Sequence, residues 1–136
     1  MQAAIPRLRI SASLLLATLA LLVGVGTSVL KDRQQRHAVA IAMTGGDPSL
    51  APAIFRRYGC GGCHMIAGIP GADGKVGPPL VNLRQRVYVG GVINNTPQNL
   101  IGWIVSPQHF SPKTAMPPTG ISEQEARHLA AYLYAQ

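Results

Sequence analysis

The stretch "YGCGGCHMI", Tyr58 to Ile66, holds both cysteines of this 136-residue chain, three positions apart, with His64 directly after the second. Three chemistries use such a cluster. A disulfide redox loop expects a strand before it and a helix after it within a sheet. A structural zinc site needs four ligands, and the remaining histidines, His37, His109 and His128, show no finger-like spacing. The third chemistry is covalent attachment of haem, whose signature is C-x-x-C-H. Each thiol adds to one vinyl group, and the two-residue gap lets a single turn of chain reach both. The next residue then lies under the iron. Gly61 and Gly62 keep that turn free of side chains that would crowd a porphyrin. The pattern thus marks Cys60 and Cys63 as attachment thiols and His64 as an iron ligand.

Toward the N-terminus the composition changes character. Hydrophobic residues make up 47% of the chain and charged ones only 12%, and the excess lies at the start. From Ile10 to Leu30 no residue is charged, and about 20 apolar residues in a helix span a bilayer core. A cleaved signal peptide has a shorter apolar run, roughly 7–15 residues, with a small-residue site soon after it. Here the nearest such site, Ala38-Val39-Ala40, lies beyond the charged "KDRQQR" of Lys31–Arg36. The segment therefore reads as a retained anchor. The expected order is a cytoplasmic N-terminus at 1–9, a transmembrane anchor at 10–30, a connector at 31–46 and an exported domain at 47–136. Arg7 and Arg9 favour keeping the short N-terminus in the cytoplasm, although basic residues on both flanks make the charge rule weak here. Ser13, Ala17, Ala20, Gly24 and Ser28 share one helix face, where small residues let a neighbouring helix approach closely. Small residues are also common in anchors that have no such neighbour.

The formal charge of +7 is not a nucleic-acid footprint, because five of the twelve basic residues flank the apolar run. From Asp47 onward seven basic side chains face four acidic ones, with no run of like charge, so nucleic-acid binding is excluded as a class. Asp47-Pro48 reads as a helix start, with a helix to about Tyr58 that stops at Gly59. Residues 67–95, rich in Gly, Pro and Asn, read as loop. Thr96-Pro97 opens a second helix that Ser106-Pro107 ends, and a further loop follows. Ser122 and Glu125 form a capping box that launches a last helix. No strand is convincing. About ninety residues with so little regular structure make a thin core, which a haem would fill.

A haem iron with histidine on one side carries Met, His or an open position on the other. Met1 and Met43 precede the domain and Met65 adjoins His64, which leaves Met116, in the loop "KTAMPP" stiffened by Pro112, Pro117 and Pro118. A lone methionine is ordinarily core filler, but one held among three prolines is placed rather than packed. Met116 is therefore the expected sixth ligand. His109 and His128 read as surface or packing residues.

From Asp47 to Gln136 the chain resembles the monohaem class I cytochromes c, on "CGGCH", "VGPPL" and "NLIGWIVSPQHFSPKTAMPP" in that order. The resemblance implies an all-α, small cytochrome c-like domain of three or more short helices around one covalent haem c, preceded here by one transmembrane helix. It implies that the carbonyl of Pro78 holds the Nδ1–H of His64, that Leu80 packs on the haem, that Trp103 lies near the Met116 sulfur, and that Thr114 stands near a propionate. Arg84, Arg86 and Tyr88 align more loosely with residues near the propionates. Phe55, with Tyr132 or Leu129, matches the pair at the helix crossing. The stretch from "GADGKVGPPL" to the end is also similar to the cytochrome domain fused to subunit II of some terminal oxidases. The implied function is single-electron transfer in a respiratory chain, as a subunit or close partner of a terminal oxidase, with no small-molecule substrate and no catalysis of its own. The implied location is the bacterial inner membrane, with the haem domain on the periplasmic side. Lys75, Lys113, Arg84 and Arg86 would favour an acidic redox partner. An independent anchored shuttle, and a haem-based sensor or small peroxidase, are the alternatives.

Overall fold

The computed structural model describes residues 5–136, with side chains from residue 12 onward. Residues 1–4, and the Arg7 and Arg9 charges invoked for the N-terminal end, lie outside the described residues. The chain divides into two units, Met1–Gln35 and Arg36–Gln136.

The first unit is helix throughout its described length, part of α1 (Ile5–Thr44). From residue 12 on, its leucines and valines are exposed. Three hydroxyls turn back onto their own helix: Thr18 Oγ1 donates to the Leu15 carbonyl (2.9 Å), and Thr27 Oγ1 and Ser28 Oγ donate to that of Gly24 (2.9 and 2.8 Å). Polar atoms satisfied within the helix are what a hydrocarbon environment demands. The stretch Ala12–Thr44 is long and apolar enough to cross a membrane.

In the second unit the helix continues where a connector was expected. Residues 31–44 are helical, and Ala40 and Thr44 are buried. The cause is local. Between Lys31 and Thr44 there is no Gly or Pro, and Gln, Arg, Ala and Met all favour helix. Charge ends an apolar run but does not end a helix. Gly45 does, at φ +67°, the left-handed conformation typical after a helix C-terminus.

Asp47 Oδ1 accepts from the Ser49 N–H at 2.8 Å, which caps a turn rather than a helix. The helix α2 starts later, at Ala51–Arg57, with Pro52 in its first turn. It stops as expected at Gly59, φ +67°. A 3-10 turn, Cys60–Gly62, follows directly. Loop runs to a second 3-10 turn at Leu83–Gln85 and then to a minimal antiparallel hairpin, β1 (Tyr88–Val89) with β2 (Ile93–Asn94). This hairpin was not expected. Two-residue strands carry no readable alternation, and the turn between them is made by Gly90 and Gly91 at positive φ.

Helix α3 (Pro97–Val105) is capped as expected, with Thr96 Oγ1 accepting from the Asn99 N–H at 3.2 Å. Pro107 ends α3 but does not open a loop. It begins a single helical turn, α4 (Pro107–Phe110), because a proline that cannot continue one helix is pre-shaped for the first position of the next. The last helix, α5 (Glu123–Ala135), has the full capping box between Ser122 and Glu125. Helices α2 and α3 both pack on α5, burying Ile54, Phe55, Leu100, Ile101, Ile104, Leu129 and Leu133. Phe55 meets Tyr132 edge to face, with ring centres 5.5 Å apart and planes at 74°. Phe55 and Leu129 are among the most completely buried large side chains.

Glu125 ties α2 to α5 as well as capping α5. Its carboxylate accepts from Tyr58 OH (2.8 Å) and pairs with Arg57 (2.6 Å). The Tyr58 hydrogen bond first, and then that of Ser122, holds the Glu125 carboxyl below the usual glutamate range. A depressed folded-state value means that the carboxylate stabilises the fold above its unfolded value. That contribution is lost as pH falls through the unfolded and then the folded value. Glu125→Gln is therefore expected to flatten the acid limb of the stability profile. Urea midpoints measured stepwise from neutral to acid pH check this, and parallel limbs for the two proteins would refute it.

Candidate haem-binding site

The Cys60–His64 turn is folded on its own backbone. The Cys63 and His64 N–H groups both donate to the Cys60 carbonyl, at 3.2 and 3.0 Å. The loop after it closes over the turn in register. Gly74 N donates to Gly61 O (3.0 Å), Gly77 N to Cys63 O (2.8 Å) and Leu80 N to Met65 O (2.8 Å). The absence of side chains at these glycines permits the close approach. A Cβ on Gly74 would stand 2.5 Å from Gly62 and Cys63 backbone atoms, one on Gly61 2.8 Å from the Ala72 Cβ, and one on Gly77 2.3 Å from His64 Cε1.

Both cysteines are free and half-buried, and burial pushes the Cys60 thiol above its ordinary value. His64 Nδ1 lies 2.7 Å from the Pro78 carbonyl oxygen. A carbonyl only accepts, so Nδ1 carries the proton and donates. The Nε2 lone pair is then the free one, and among the described residues no hydrogen bond takes it. Imidazoles that bind metal have this arrangement, with the far N–H fixed by a carbonyl. Among the described residues no three His, Cys, Asp or Glu side chains gather as a metal-holding group.

Cys60, Leu80 and Met116 all sit half-buried against the same hydrophobic cluster, in which Trp103 is buried. Trp103 packs under Gly90, where a Cβ would lie 2.3 Å from the indole, and 6.3 Å from the Phe110 ring. Thr114 Oγ1 accepts from the Met116 N–H at 3.3 Å. The arrangement fits a haem: two free thiols on one turn, an imidazole with its Nε2 lone pair available, and a thioether on the shared apolar surface.

The sequence profile of the cytochrome c family matches residues 49–135. The chain belongs to the cytochrome c family. Membership implies haem c and a role in electron transfer. The cytochrome's Cys60, Cys63 and His64 are the C-x-x-C-H of that family. It is also 33% identical, over 81 residues, to cytochrome c oxidase subunit 2 of Alkalihalophilus pseudofirmus, an alignment covering 59% of this chain. The chain spans about a quarter, 23%, of that relative's length. No solved structure matches.

Several supporting side chains of the cytochrome carry no sequence signature. Arg86, expected to approach the propionates, donates from Nη2 to the Pro79 carbonyl and to that of Val81 (3.2 Å). It braces the loop that carries the His64 acceptor. Asn95 Nδ2 bonds the carbonyls of Leu83 (2.8 Å) and Arg86 (2.9 Å), while its Oδ1 accepts from Tyr134 OH at 2.7 Å. Gln108 Nε2 donates to the Met116 carbonyl at 2.6 Å. In the sequence Asn95 reads as an ordinary loop residue and Gln108 as an ordinary polar one. Tyr88 and Arg84 are exposed on the hairpin and the second 3-10 turn. His128 Nδ1 accepts from the Asp47 N–H at 2.8 Å, and His109 lies edge-on to Phe110 at 4.9 Å, both packing roles.

Proposed function

We propose that this chain is a membrane-anchored monohaem cytochrome that passes single electrons in a respiratory chain, as a subunit or close partner of a terminal oxidase. The observation that carries the site assignment is the His64–Pro78 hydrogen bond, which orients the imidazole and leaves Nε2 for iron. Cys60 and Cys63 would hold the one haem c as thioethers, His64 and Met116 would ligate its iron, and Pro78, Leu80, Trp103 and Thr114 would complete its surroundings. Haem c, when bound, supplies reversible one-electron oxidation and reduction at its iron. The chain's own residues do the rest. The Pro78 carbonyl raises the basicity of His64. Leu80 and Trp103 add apolar surface that keeps water from the site. Met116 would supply the second protein ligand to the iron, which would raise the potential and leave no open position for a substrate.

The exposed apolar surface of residues 12–30, with the hydroxyls of Thr18, Thr27 and Ser28 satisfied within the helix, supports a single-pass anchor. Retention of the anchor in the bacterial inner membrane, with the haem domain on the periplasmic side where c-type cytochromes are used, completes the proposal. The likeness to a protein named cytochrome c oxidase subunit 2 supports the choice of partner.

Extraction in mild detergent followed by haem-stained native electrophoresis tests the assignment of partner. The expected result is a haem band that co-migrates with oxidase subunits. A band running alone would refute the subunit reading and leave an independent anchored shuttle. Carbon monoxide tests the chemistry: the reduced protein is expected to bind it poorly, because Met116 occupies the sixth position. Rapid, stoichiometric binding would move the protein to the sensor and peroxidase class.

A further inference from the structure

We propose that Gln108 is a positioning residue that clamps the loop carrying Met116 and thereby sets how firmly the methionine sulfur stays on the iron; this rests on the ligand assignment proposed above.

Residues 111–122 between α4 and α5 form no regular structure, so Met116 is presented by a loop. The bond to its own N–H is local, from Thr114 Oγ1 two residues back. Such a bond shapes the loop but does not fasten it to anything. The Gln108 amide does fasten it. Its Nε2 donates to the Met116 carbonyl at 2.6 Å from a different element, α4.

That element is itself rigidly seated. Pro107 is fully buried. Phe110 rests against the bare backbone of Gly102 on α3, where an added Cβ would stand 3.0 Å from the ring, and it stacks beside Trp103. The one-turn helix is thus a fixed post, with Gln108 half-buried and directed at the loop. A thioether is a neutral, weak ligand, so its residence on iron depends on how little the loop must be ordered to present it. A neutral hydrogen bond of ordinary strength to the ligand's own peptide changes that equilibrium by roughly three- to tenfold.

The test uses the full-length holoprotein in detergent, with Gln108→Leu and, as a control, Gln98→Leu, an exposed glutamine on α3. Three readouts belong to the sulfur–iron bond. They are the rate of carbon monoxide binding to the reduced protein, the thermal midpoint of the ferric near-infrared sulfur-to-iron band, and the reduction potential. In Gln108→Leu the carbon monoxide rate is expected to rise roughly three- to tenfold. The band is expected to melt at lower temperature while the far-ultraviolet helix signal melts nearly as before, and the potential to fall. Gln98→Leu is expected to match the wild type in all three. Gln108→Ala removes the same donor without bulk and decides the matter if the leucine variant misfolds. A Gln108 variant with an unmoved band, rate and potential overturns the clamp while leaving Met116 as ligand. A wild-type protein that never shows the band overturns the Met116 assignment, and the clamp with it.

Discussion

Replacing Gly77 with alanine is expected to destabilise the holoprotein by about 3 kcal/mol while changing the haem-free chain by only about 1 kcal/mol. The asymmetry follows from what the new methyl group meets. Its Cβ would lie 2.3 Å from Cε1, 2.7 Å from Nδ1 and 2.9 Å from Nε2 of His64, all atoms of one imidazole. Without haem the ring is half-exposed and swings aside, giving up the 2.7 Å bond to Pro78. With haem bound as proposed, the ring would be held at Nε2 and could not yield, so the strain would fall on the loop. Overpacking of this kind costs about 1–3 kcal/mol, and the lost hydrogen bond about 1 kcal/mol more. Weakening the Nδ1–H bond also makes His64 a poorer electron donor. The oxidised state loses more than the reduced one, and the potential should rise. Urea unfolding of both forms, with a potentiometric titration, measures these effects. Holoprotein stability and potential equal to wild type would mean that the Gly77–Pro78 loop does not orient His64.

The parts of this molecule that were legible in the sequence are those set by local chemistry. The C-x-x-C-H turn, the Thr96 and Ser122 caps and the stop at Gly59 each depend on two or three neighbouring residues, and each is where the pattern put it. The Phe55–Tyr132 contact was accessible through family likeness. What was not legible depends on distant partners or on features too short to show a period. The hairpin of Tyr88–Val89 with Ile93–Asn94 has two residues per strand. The turn at Pro107 reads equally as helix end or helix start. Arg86 also bonds the backbone carbonyls of Pro79 and Val81, a role that only the folded loop defines. Asn95 and Gln108 act on carbonyls between 8 and 12 residues away, and no spacing rule connects them. The helical course of residues 31–44 was not legible for a different reason: hydropathy reports where a helix could leave a membrane, and says nothing about where it ends.

The end of that helix yields the second large expected effect. Gly46→Ala should destabilise the second unit by about 4 kcal/mol, whereas Gly45→Ala, one residue earlier, should cost about 1–2 kcal/mol. Gly45 is glycine for its backbone angle, φ +67°, and an added methyl group there would meet only the Arg127 guanidinium, at 3.7 Å. Gly46 is glycine for lack of room. Its Cβ would stand 2.1 Å from the Arg127 carbonyl oxygen and 2.7 Å from the His128 nitrogen, atoms locked in the hydrogen bonding of α5. Main chain inside a helix does not step aside as a side chain does. The end of α1 must instead lift away. Doing so breaks the Arg127 Nη1 bond to the Thr44 carbonyl (3.0 Å) and the Asp47 N–H bond to His128 Nδ1 (2.8 Å), and it uncovers Ala40 and Thr44, each 1% exposed. Two hydrogen bonds at about 1 kcal/mol each and the re-exposed side chains account for a cost of this size. Urea unfolding of the full-length holoprotein, followed by far-ultraviolet circular dichroism, compares the two variants directly. Equal midpoints would mean that the last turn of α1 is not seated on α5 and that residues 36–46 behave as a plain tether. The expected order, with Gly46→Ala far below Gly45→Ala, would make those residues a structural part of the cytochrome domain.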